Sequence, residues 1–131
     1  MRDIWTSLGG AVAGAAIILA LAYVFVTASI PQAQAASCSN MRASWYGTES
    51  GSRTANGEHF DGTSLTAAMP SRKHLGERYR VTYRGRSVIV RINDVGPASW
   101  TGRGIDLSRA AAKKIGMIDA GVAKVCVQKI G

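Results

Sequence analysis

Charge is nearly absent from the first third of this chain. Between Ile4 and Met41 no Asp, Glu, Lys or Arg occurs, a gap of 38 residues in a protein of 131. Acidic residues are scarce throughout, eight against sixteen Lys and Arg, and the formal net charge is +8. Arg2 and Asp3 cancel, so the whole surplus sits on residues 42–131. Histidine and cysteine each occur only twice, in no metal-ligand spacing, so no metal site is read from them. No motif calls for a cofactor, and neither an internal repeat nor a low-complexity tract is evident. The length excludes an α/β barrel, a full dinucleotide-binding enzyme and a multidomain assembly. The chain beyond the uncharged stretch suffices for one compact domain with a single core.

The uncharged stretch itself is informative. Residues 8–30 read LGGAVAGAAIILALAYVFVTASI, 23 residues without a charge, and a helix of about 20 residues spans a bilayer. Pro31 breaks that helix, and Ala33-Gln34-Ala35 offers the small-x-small pattern of a signal-peptidase site. Two readings fit: a cleaved signal peptide, or a hydrophobic N-terminal helix retained as an anchor in the inner membrane. Either places the body in the cell envelope, periplasmic or secreted. The expected division is 1–35 for the export segment, 36–42 for a short linker and 43–131 for the domain. Cys38 and Cys126 stand near the two ends of that body, where an oxidising compartment would allow a disulfide. The small residues before Cys38 also loosely copy a lipid-attachment box, and two unrelated thiols are a third reading.

The body reads as short strands cut by glycine. Residues 43–47 form a brief extended piece, 48–62 have loop composition, and 65–68 suit a short strand stopped by Pro70. Residues 78–83 alternate, Arg84-Gly85-Arg86 turns the chain, and 87–92 return with Val88, Val90 and Ile92 on one face. This is the best hairpin signal present. Turn chemistry comes next at Asn93-Asp94-Val95-Gly96-Pro97, then a glycine-broken loop over 98–104. Ser108 suits the cap of a helix over 109–115, with Gly116 in the terminating left-handed position. A last strand covers 123–130. The sum is a small, mainly β, barrel-like domain with one or two short helices.

The order of five motifs is distinctive: Ala43-Ser44-Trp45-Tyr46-Gly47, Thr54-Ala55-Asn56-Gly57-Glu58-His59-Phe60, Leu65-Thr66-Ala67-Ala68, Val90-Arg91-Ile92-Asn93-Asp94-Val95-Gly96-Pro97 and Gly104-Ile105-Asp106-Leu107-Ser108. Together they resemble the rare lipoprotein A family of bacterial envelope proteins over residues 43–128. That resemblance implies a six-stranded double-psi β-barrel, shared with expansins and related endoglucanases. It also implies a lytic transglycosylase, which cuts peptidoglycan between N-acetylmuramic acid and N-acetylglucosamine and leaves a 1,6-anhydro end. The residue of the Arg-Ile-Asn-Asp-x-Gly-Pro motif that matches the family's catalytic acid is Asp94. The chain departs from the family where a histidine should follow Leu-Thr-Ala-Ala: Met69 stands instead, and the stretch after it, Pro70 to Gly76, is slightly longer than the family's Leu-Pro-x-Gly. That departure keeps a non-catalytic peptidoglycan-binding or wall-loosening module as the alternative.

The residues themselves support an acid site. Breaking a glycosidic bond requires a proton for the leaving oxygen, which a positioned carboxylic acid supplies. Asp94, between a strand and a Gly/Pro turn, is well placed for this, although an Asx-turn would use it too. Asp106 is the candidate second carboxylate, or a helix-capping group. His74, in the loop after Met69, is the candidate replacement for the missing histidine. Tyr46, Arg53, Asn56, Glu58 and Trp100 are candidate substrate contacts, with Trp100 as a platform for a sugar face. The basic surplus fits an anionic envelope partner. Nucleic acid is not expected, since no recognition helix or single-strand-binding motif accompanies the export segment. The expected partner is the glycan strand, met by a monomer.

Overall fold

The computed structural model describes residues 37–131; the signal or anchor expected of residues 1–35 lies outside them. Six strands are present: β1 at Ser39–Tyr46, β2 at Thr66–Met69, β3 at Arg78–Tyr83, β4 at Arg86–Val95, β5 at Ile105–Ser108 and β6 at Ala123–Lys129. They close a barrel in the order β1–β5–β2–β4–β3–β6, so no strand has a free edge. Pairing is mixed: β1 with β5 and β2 with β4 are parallel, and the other four pairs are antiparallel. Closure explains how a body this small folds, because every strand's backbone groups find partners on both sides.

Alternation fills the interior. Val81, Val90, Ile92, Ile105, Leu107 and Val125 point inward and are fully or almost fully buried. Each contributes about 1.5–3 kcal/mol relative to an exposed position. The helix α1, Arg109–Lys114, lies between β5 and β6 in the chain and buries Ala111 and Ala112. Its small side chains let it sit close to the sheet, and it makes contacts with β4, β5 and β1. Ser108 caps it as expected, its Oγ accepting from the Ala111 N–H at 3.2 Å. Gly116 has φ +73, the left-handed conformation expected at that position.

Two features depart from the sequence reading. Residues 105–108 form a central strand, β5, between β1 and β2, where the pattern shows only the approach to a helix. Strand β4 also runs on through Asn93 and Asp94 to Val95, so the turn starts at Gly96 and not at Asn93. The reason is pairing: Ala68 and Met69 on β2 hold Asp94 and Val95 in register. Gly96 then takes φ +140, which a side chain would resist. One α-helix and three single 3-10 turns, Thr48–Ser50, Arg72–His74 and Ser99–Thr101, complete the fold of the described residues.

Candidate active site

Asp94 owes its position to a bulge. Along β2, Ala67 pairs with Ile92 and the next residue, Ala68, pairs with Asp94, so Asn93 is an extra residue in β4. Bulges re-aim side chains in this way and recur beside active sites. The Asp94 carboxylate is half-buried. Its Oδ1 accepts from the Ala55 N–H at 2.9 Å and from the Val95 N–H at 2.8 Å. Its Oδ2 accepts only a long bond from the Tyr46 hydroxyl, 3.4 Å. One oxygen is thus pinned by backbone and the other is left facing a phenol.

Tyr46 ends β1 and stacks on Phe60, ring centroids 4.7 Å apart. Burial pushes its phenol well above the ordinary value, and the charges of Asp94 and Asp106 push it the same way. It therefore stays protonated and acts as a donor. Asp106 lies on β5 directly opposite Ser44 of β1. The Ser44 Oγ donates to Asp106 Oδ1, and Arg103 meets both, with Nη1 on Asp106 Oδ1 at 3.1 Å. Ala68 pairs with Asp94 on one side and with Asp106 on the other. The two carboxylate-bearing strands are therefore two inter-strand spacings apart, about 10 Å between backbones. Sequence reasoning passes over Ser44 and Arg103, whose roles arise only from the parallel β1–β5 pairing.

The glycine-rich loop is stitched to β4 beneath this site. The Asn56 N–H donates to the Asn93 carbonyl at 3.2 Å, next to the Ala55 bond to Asp94. Glu58 takes both guanidinium nitrogens of Arg91, at 2.5 and 2.9 Å, and also bonds to Asn56 and Asn93. The Arg91 hydrogen bonds, followed by those of Asn56 and Asn93, hold the Glu58 carboxyl down at about 2. Asn56 and Glu58 thus spend their side chains on the loop that presents Ala55. Arg53 is exposed, its Nη1 on the Gly57 carbonyl at 3.1 Å. Trp100 is 88% exposed on the turn before Arg103.

His74 is held by a different set of partners. Its Nδ1 lies 2.8 Å from Glu77 Oε2, which also accepts from the Tyr79 hydroxyl at 2.5 Å. Lys129 bonds the other Glu77 oxygen at 3.0 Å. Among the described residues His74 has no hydrogen bond to Asp94 or Asp106. It shares a hollow of about 400 Å³ with Met41, Met69 and Tyr79. Met69 itself is 5% exposed and packs in the core. Gly104 lines the same hollow, where an added Cβ would come within 2.7 Å of the Met41 sulfur. Two further hollows, of about 380 and 640 Å³, lie beside Trp45 and Arg109, and none of Tyr46, Asp94 or Asp106 lines them. Cys38 and Cys126 form a disulfide, Cα atoms 5.4 Å apart.

The domain is thus a closed six-stranded β-barrel of mixed pairing, with Asp94 and Asp106 on the two strands that flank β2. Residues 38–127 match the family model described as lytic transglycolase. The chain belongs to this family, the rare-lipoprotein-A-like double-psi β-barrels. It is 50% identical over 91 residues to the endolytic peptidoglycan transglycosylase RlpA of Pseudomonas aeruginosa, an alignment covering 67% of this chain and 26% of that protein. The chain thus spans between 21% and 37% of the length of curated relatives of this kind, 26% in this case. In fold it is similar to a Streptomyces papain inhibitor, TM-score 0.60 at 24% identity over 72% of this chain and 94% of that one. It is also similar to a Clavibacter michiganensis expansin solved with cellohexaose, TM-score 0.56 at 19% identity over 72% and 50%.

Proposed function

We propose that this domain is a peptidoglycan lytic transglycosylase of the cell envelope, with Asp94 as its acid and base. The observation that carries the reading is the asymmetric hold on Asp94: two backbone N–H groups on Oδ1, and on Oδ2 only a 3.4 Å bond from Tyr46. In this reading Oδ2 gives its proton to the glycosidic oxygen as the bond from C1 of N-acetylmuramic acid breaks. The same oxygen then takes the proton of the C6 hydroxyl as that oxygen closes on C1, so no water is consumed. Asp106, held by Ser44 and Arg103 across β2, faces the positive charge that develops at the sugar ring. Tyr46 keeps Asp94 aimed, and Trp100 offers a platform to a neighbouring sugar. Arg53, on the loop that presents Ala55, is a further contact.

The family membership supports this chemistry, and so does the identity to the transglycosylase. A second reading is favoured by Met69, buried where the resemblance expects a histidine: a module that binds or loosens glycan strands without cutting them. The deciding experiment incubates the full chain, in detergent, with intact and peptide-stripped sacculi and reads the soluble products by mass spectrometry. Anhydro-ended products from the wild type and none from Asp94→Asn (D94N) are expected. Reducing ends would mean hydrolysis, with Asp106 as the second carboxylate. Binding with no new ends would establish the second reading.

A further inference from the structure

The outer face of β3 and its neighbours carries charge that nothing among the described residues answers. Arg78 and Arg80 point outward from β3, where buried and more exposed positions alternate. Arg80 stands opposite Ile89 of β4 and Gln128 of β6. On the far side of β6, Lys124 stands directly opposite Arg42 of β1. Lys114 comes from α1 to line a hollow of about 310 Å³ with Arg80 and Ile89. Among the described residues none of Arg42, Arg78, Arg80, Lys114 or Lys124 forms an ion pair. Like charges directly opposite on adjacent strands oppose folding, and this face has two such pairs, Arg42 with Lys124 and Arg78 with Arg91. Only Arg91 is neutralised, by Glu58.

We propose that this face docks on an anionic phospholipid bilayer. Charge complementarity requires an anion, and two further observations select a membrane surface over a soluble polymer. Ile89 and Leu65 line that hollow and are 39% and 37% exposed, so apolar groups stand among the cations. That combination suits the boundary between headgroups and acyl chains. The chain also enters the domain on this face: Cys38 is joined to Cys126, and Cys126 pairs with Thr82, two residues along from Arg80. Only seven residues separate Ile30, the end of the uncharged segment, from Cys38. Fully extended, that link reaches less than about 30 Å. A bilayer holding residues 8–30 would therefore lie within reach of Cys38. The docking is independent of glycan cleavage and is read without it.

The test uses the full chain in vesicles of phosphatidylcholine, with or without about one-third phosphatidylglycerol, and follows lysine acylation by mass spectrometry. Anionic vesicles should slow labelling of Lys114 and Lys124 at least about threefold relative to neutral ones, and high salt should reverse this. Lys113 lines the neighbouring cleft beside Arg109 and Ile118, so its labelling should not change. Arg80→Glu, and separately Lys124→Glu, should remove the slowing while the melting temperature is kept. Ile89→Ser, also exposed, should weaken it in part. Equal labelling in the two vesicle types would overturn the proposal, as would equal slowing at Lys113. Slowing by polyphosphate in neutral vesicles, without slowing by anionic lipid, would overturn it in favour of a soluble polyanion.

Discussion

The two sides of this barrel treat charge in opposite ways. Around β2 the charged groups have partners: Asp94 has two backbone N–H groups and Tyr46, Asp106 has Ser44 and Arg103, and Glu58 has Arg91. On and beside β3, Arg78 and Arg80, with Arg42, Lys114 and Lys124 beyond them, have none among the described residues. In the proposed reading the difference separates two uses of the same sheet. Partnered charges have fixed positions, and fixed position is what proton transfer requires. Unpartnered like charges are retained at a cost to stability, which points to a partner outside the chain.

The comparison is broken most severely at Asp94. D94N keeps the shape and the backbone bonds but removes the exchangeable proton, and turnover is expected to fall about 10²–10⁴-fold. Sacculus binding and melting temperature should be unchanged; unchanged turnover would remove Asp94 from the mechanism. Arg103→Ala releases Asp106 and Ser44 from their shared cation, and about a 10- to 100-fold loss of turnover is expected from the lost positioning. A loss as large as that of D94N would mean that Arg103 touches the reacting sugar.

His74→Ala sharpens the contrast from the other end. With its Nδ1 spent on Glu77, this histidine braces the Arg72–His74 turn against β3, and turnover should change less than about twofold. A fall of tenfold or more, on the usual scale of acid–base groups, would make His74 the replacement for the histidine that Met69 displaces. The smallest effect is on stability in acid. Glu58 and Glu77 are both held at about 2 from an ordinary 4.5, Glu58 chiefly by Arg91 and Glu77 chiefly by Tyr79. Lowered values mean that their stabilisation is complete above about 4.5 and is lost as pH falls towards 2. Melting temperatures of wild type and Glu58→Gln should therefore differ at pH 7 and converge near pH 2. Because Glu58 and Arg91 are both more than a third exposed, the difference should be about 1 kcal/mol or less.

Much of this is legible in the sequence, for physical reasons. The β3–β4 hairpin announces itself because both strands alternate around a glycine turn, and α1 because Ser108 and Gly116 bracket it. The strand β5 is hidden because four residues between a glycine loop and a helix cap carry too short a pattern; its two neighbours, β1 and β2, make it a strand. Asp94 and Asp106 stand out through their motifs, while Ser44 and Arg103 do not. Their importance depends on which strands lie side by side, and parallel pairing across some sixty residues leaves no local trace. His74 and Asp94 are both polar groups near chain turns, and only the fold shows that they bond to different partners.

The first and last strands of the barrel, β1 and β6, pair with each other along their length, Ser39 beside Val127. The points where the chain enters and leaves the barrel are therefore about one strand spacing apart, near 5 Å. A unit with adjacent ends behaves as a plug: it can be spliced into a surface loop of a longer polypeptide without stretching either flank. Relatives of which this chain spans only about a quarter are chains in which such a plug has ample sequence on which to sit.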